Sequence, residues 1–80
     1  MPNYELSIFQ VTAGADQGVC AVLIRIGTQT FRATEPVRSW NTAEQQAEAL
    51  QQRLQAGDFS GLHPIIIEAL QQVGGAHESA

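Results

Sequence analysis

Lysine is absent from this chain, and its four arginines stand against eight acidic residues for a net charge of −4. Proteins that track nucleic-acid phosphates draw much of their affinity from clustered Lys and Arg, which release counterions. Only Arg25, Arg32, Arg38 and Arg53 could serve here, so the balance argues against nucleic acid as a partner. Cysteine occurs once, at Cys20, which excludes an intramolecular disulfide. Flanked by Val19 and Ala21, it reads as a small buried hydrophobe rather than a nucleophile. The two histidines, His63 and His77, have no second histidine or cysteine at ligand spacing, and no metal site is expected. No stretch approaches the roughly 20 apolar residues of a membrane span. Met1-Pro2-Asn3-Tyr4-Glu5 also lacks the basic and apolar segments of a secretory signal. The expectation is a soluble, cytoplasmic protein with no membrane contact.

Catalytic signatures are missing as well. There is no GxGxxG, P-loop, HExxH or GxSxG, and neither a cofactor nor a catalytic residue is expected. Cys20 with His63 is the one nucleophile and base pair the inventory permits, and the apolar pattern around Cys20 places it in the core instead. Glu44 and Glu48 share a helix face and read as a solvated pair. What is present is a globular composition, 44% hydrophobic and 15% charged over 80 residues. That length makes one domain, which buries only about 60% of its unfolded surface. With neither disulfide nor metal to support it, self-association is the expected remedy.

Along the chain, Tyr4 to Thr12 mixes apolar residues on both sides of a strand. Ala13 to Gly18 reads as a loop, and Val19 to Ile26 as the central strand, β-branched and interrupted only by Arg25. Gly27-Thr28 suits a two-residue type II′ turn into a third strand, Gln29 to Glu35, which Pro36 ends. Val37 to Asn41 reads as a connection. Thr42-Ala43-Glu44-Gln45, or Asn41 with Glu44, offers the capping chemistry of a helix start. Ala43, Ala47, Leu50 and Leu54 recur at helical spacing before Gly57, a natural terminating residue. Pro64 suits the first turn of a second helix, whose stripe is Leu62, Ile65, Ile66, Ala69, Leu70 and Val73, with Ile67 outside it. Gly74-Gly75 is expected to stop that helix. The prediction is an α+β fold: a three-stranded antiparallel meander followed by two C-terminal helices packed on one face, β-β-β-α-α. Residues 1–75 form a single domain and 76–80 a frayed polar tail.

Register decides what each sheet face carries. A two-residue turn at Gly27-Thr28 aligns Cys20, Val22, Ile24, Ile26, Phe31 and Ala33 beneath the helices. If Thr12 pairs with Val19, Phe9 and Val11 join that set, and Tyr4, Leu6, Ile8, Ala21 and Leu23 gather on a second face that no helix remains to cover. A bulge or a different loop count exchanges the faces of the first strand and leaves an ordinary half-buried sheet. On the first register, Leu6, Ile8, Leu23, Arg25 and Arg32 form the candidate interface, because exposed apolar patches mark interaction sites.

Arg38 and Trp40 lie just beyond the third strand, and with His63 they are the candidate ligand-binding residues. The plainer reading of Trp40 is that it closes the core beneath the first helix. Three strands and a helix beginning Trp40-Asn41-Thr42-Ala43-Glu44, followed by Ala47, resemble the arm-type DNA-binding modules of tyrosine recombinases over about half of the chain. That resemblance implies a sheet carrying exposed Lys and Arg into the major groove. This sheet offers Leu6, Ile8 and Leu23 with only two arginines, so DNA is not adopted as the partner. The expected function is a small non-catalytic interaction module that forms a homodimer or docks on another protein through the second sheet face. The alternative is a small-ligand-binding protein or minimal enzyme with a site at a subunit junction near Trp40 and His63.

Overall fold

Strands rich in β-branched residues and joined by glycine-containing turns pair with their neighbours in sequence. In the computed structural model, which describes residues 4–79 and side chains as far as Val73, β1 (Tyr4–Gln10), β2 (Cys20–Ile26) and β3 (Gln29–Arg32) form one antiparallel sheet in the order β1-β2-β3. Two helices follow, α1 (Trp40–Gln55) and α2 (Pro64–Ser79). This is the α+β meander expected, with β2 in the centre. The first three residues of the expected domain and Ala80 of the expected tail lie outside the described residues.

The β2–β3 hairpin has the predicted register, Ile26 opposite Gln29 and Ile24 opposite Phe31, and Ala33 donates its N–H to Val22 at 2.8 Å. Gly27 carries φ +63° while Thr28 stays at negative φ. That combination is type II′ rather than I′, and its twist matches that of the flanking strands. Beyond Ala33 the ladder is interrupted at Pro36, and the Thr34 hydroxyl accepts the Val22 N–H at 3.2 Å where a backbone carbonyl would otherwise serve. Val37, expected in a connection, rejoins β2 by exchanging two hydrogen bonds with Cys20.

The β1–β2 register differs from expectation by one residue. Leu6 lies opposite Ile24, Ile8 opposite Val22 and Phe9 opposite Ala21. Thr12 therefore does not pair with Val19. Gly18 donates its N–H to Val11, and Val11 donates to the Val19 carbonyl, so two residues of one chain segment oppose one of the other. This is a β-bulge, with Gly18 at φ +92° as the extra residue. Because side chains alternate with period two, one extra residue exchanges the faces of β1. Tyr4, Leu6 and Ile8 consequently lie on the helix-covered face, and Glu5, Ser7 and Phe9 on the uncovered one. The expectation that Leu6 and Ile8 belong to the second face is corrected by this bulge.

α1 begins earlier than Asn41 or Thr42. Ser39 is the N-cap, extended at φ −133°, and its hydroxyl accepts the Thr42 N–H at 3.2 Å. Thr42 is thus the donor in the cap rather than the acceptor. The C-terminus is as read: Gly57, at φ +79°, donates to Leu54, and Asp58 donates to Arg53 at 2.9 Å, the paired bonds of a Schellman motif. In α2 His63 is the N-cap and Pro64 the first helical residue. The helix passes through Gly74-Gly75 to Ser79. Glycine lowers helix propensity by about 1 kcal/mol relative to Ala without forbidding helical angles, so a pair of them does not enforce a stop.

The core joins Val22, Ile24 and Ile26 of β2 to Leu50 and Leu54 of α1 and to Leu62, Ile66, Ala69 and Leu70 around α2. Fully burying side chains of this size contributes roughly 1.5–3 kcal/mol each. Tyr4, Leu6 and Phe31 pack at its margin. Two residues of α2 exchange roles relative to the expected stripe: Ile65 is 55% exposed, while Ile67 packs against the core.

Candidate functional site

The face of the sheet turned away from the helices is built by alternation. Glu5, Ser7 and Phe9 of β1, Ala21, Leu23 and Arg25 of β2, and Thr30 and Arg32 of β3 share it. Towards one corner, on edge strand β1, Phe9 is 55% exposed opposite buried Ala21. Half-buried Leu23 lies between Ser7 on one side and Arg32 on the other. Glu5 and Arg25 sit opposite each other, with a guanidinium nitrogen 3.5 Å from the carboxylate. Both side chains are more than half exposed, so this pair contributes little to stability. Arg32 has no ion-pair partner among the described residues. An apolar centre beside arginines is the composition of a binding surface.

Of the residues expected at an interface, Leu23, Arg25 and Arg32 are brought together on this face. Leu6 and Ile8 are not. Phe9 and Ala21 take their places, and the signal that could have located them is Gly18, which carries the bulge that aims Phe9 outward.

The residues expected around a ligand separate. Trp40, the first residue of α1, is 45% exposed. It does not close the core beneath that helix, which corrects the plainer reading of its role. His63 stands at the start of α2, where its Nδ1 accepts the Ile65 N–H at 3.1 Å and its carbonyl accepts from Ile66 and Ile67. With Nδ1 accepting, the remaining ring nitrogen is the side available to a ligand. His63 and Arg32 line a hollow of about 370 Å³ with Thr34, Glu35 and Gly61. They also share a smaller, more apolar one of about 260 Å³ with Phe31 and Ile65. Arg38 and Trp40 line neither.

The loop that carries Gly61 and His63 is held by a small polar knot. Asp58 accepts both the N–H and the O–H of Ser60, at 3.0 and 2.7 Å, and Arg53 approaches its other carboxylate oxygen at 3.6 Å. The Ser60 hydrogen bonds, with the Arg53 charge behind them, hold the Asp58 carboxyl below its ordinary value.

Chemically, the hollow offers one cation, one carboxylate and one imidazole, and no activated nucleophile. Cys20 is fully buried, its thiol directed to the Gly18 carbonyl at 3.5 Å, and it lines neither hollow with His63. Among the described residues no group of His, Cys, Asp and Glu is placed to hold a metal ion, and no helix is long and apolar enough to cross a membrane. No protein-family model, curated protein or solved structure matches the chain.

Proposed function

We propose that the chain is a non-catalytic protein-interaction module that acts as a homo-oligomer, in its simplest form a dimer, with the uncovered sheet face as part of its working surface. The observation that carries this reading is Phe9, 55% exposed beside Leu23 on a face that both helices leave bare. Single exposed hydrophobes are ordinary. Here Phe9, Ala21 and Leu23 adjoin one another and Arg25 and Arg32 stand next to them, which favours an interface. The modest core of an 80-residue domain with a single cysteine, and so no internal disulfide, also favours assembly.

The test is molar mass in solution by size-exclusion chromatography with light scattering, diluting from about 100 μM, a range that spans weak and tight dimers. A mass of twice 8.6 kDa that falls on dilution supports the reading. A monomer throughout removes self-assembly and leaves the face to a different protein.

A second reading, a small-ligand site, is favoured by the hollow in which Arg32 and His63 meet. The alternative places its site at a subunit junction near Trp40 and His63; this hollow is lined by His63 and Arg32 and not by Trp40. A ligand bound there raises the melting temperature by mass action, and a broad thermal-shift screen without a response ends this reading.

A further inference from the structure

The sheet has two free edges, and they are unequal. β3 presents four residues, carries Arg32, and is followed within a few residues by Pro36. Short length, charge and proline are the devices that blunt an edge against pairing. β1 has seven residues, no proline, and a single charged side chain, Glu5, which is engaged by Arg25.

Backbone alternation shows what the β1 edge offers. Val11 directs its N–H and C=O toward the β2 side, while Cys20, opposite Gln10, directs its own toward Val37 on the other side. In an antiparallel ladder the direction alternates residue by residue. Tyr4, Leu6, Ile8 and Gln10 therefore point their peptide groups outward. Among the described residues no hydrogen bond from another segment reaches them.

From this we infer that the second copy required by the homo-oligomer reading, on which the inference rests, pairs antiparallel with β1 along its free edge, with the two-fold axis at Ser7. The strand is self-complementary about that point. Leu6 of one copy lies opposite Ile8 of the other, twice, on the helix-covered face, so the half-buried pair completes a continuous apolar row. Ser7 meets Ser7, the smallest side chain of the strand at its tightest place. The two Glu5 carboxylates fall at opposite ends, roughly 14 Å apart at about 3.4 Å per residue, and no like charges oppose each other. All seven residues take part, whereas moving the axis by one residue leaves part of the strand without a partner. The product is a six-stranded sheet in which both Phe9 and Leu23 clusters lie on one side, doubling the uncovered face.

Cysteine cross-linking separates this arrangement from a face-to-face dimer. Residues directly opposite at a non-hydrogen-bonded position have Cα atoms about 4.5 Å apart, within disulfide range. At a concentration where light scattering gives a dimer, S7C is expected to form a disulfide-linked dimer under mild oxidation. L23C is expected to remain unlinked, because three strand spacings place its two copies about 14 Å apart. Cross-linking by L23C in place of S7C would overturn the edge pairing while leaving the homo-oligomer reading intact. A monomer in light scattering with neither variant cross-linked would overturn both.

Discussion

Gly18 donates its N–H to the Val11 carbonyl at 2.9 Å while Val11 gives its own N–H to Val19, also at 2.9 Å. That three-residue relationship decides which half of β1 meets the helices. Gly18 adopts φ +92°, a conformation that costs an L-residue roughly 1–2 kcal/mol. An added Cβ would meet nothing within 4 Å, so the cost is conformational rather than steric. G18A should lower stability by about 1–2 kcal/mol in urea denaturation. An unchanged midpoint would show that the bulge is not the conformation held in solution.

Leu23 sits at the centre of the uncovered face, half-buried and opposite Arg32. L23E places a carboxylate there at modest cost to a monomer, since its cross-strand partners, Ser7 and Arg32, are polar and exposed. In an assembly through this face the charge would be desolvated and dissociation strengthened by at least about tenfold, or 1.4 kcal/mol. A dimer paired along the β1 edge instead leaves Leu23 outside the contact and should dissociate as the wild type does. The dilution profile from light scattering reads this directly, and an identical profile removes the face from self-assembly.

Ser39, rather than Asn41 or Thr42, caps α1. S39A leaves the Thr42 N–H without its acceptor and should cost about 1 kcal/mol. N41A and T42A should each cost less than about 0.5 kcal/mol, as surface changes without a capping role do. Thermal melts of the three variants rank them, and a larger loss for N41A or T42A would move the helix start.

Asp58 is held below its ordinary value chiefly by Ser60 and then by Arg53. Its carboxylate therefore adds stability that is complete above the unfolded-state value near pH 4 and is lost as pH falls through the lower folded value. The wild type should exceed D58N by a constant margin above about pH 5, and the two should converge in more acid solution. A margin that persists into strong acid would show that the charge of Asp58 is not what stabilises the loop.

The local vocabulary of the fold was legible because each element carries its own chemistry. Gly27-Thr28 makes the turn its residue types demand, Gly57 terminates α1, and Pro64 opens α2. The apolar run around Ile24 could only be a central strand. Other features depended on choices that neighbouring residues make together. Ser39, Asn41 and Thr42 are all competent caps, and only the extended backbone at Ser39 selects among them. Trp40 has the composition of a core residue, yet as the first residue of α1 it faces outward. Arg32 and His63, distant in sequence, meet only because the start of α2 lies beside β3.

Sequence alone determined the element order, the central strand and the hairpin register at Gly27, since these rest on local propensity. The tertiary structure decided the composition of the uncovered face. One glycine with positive φ shifts β1 by a single position, and with a period of two that shift sends Leu6 and Ile8 to the helices and Phe9 to the open side.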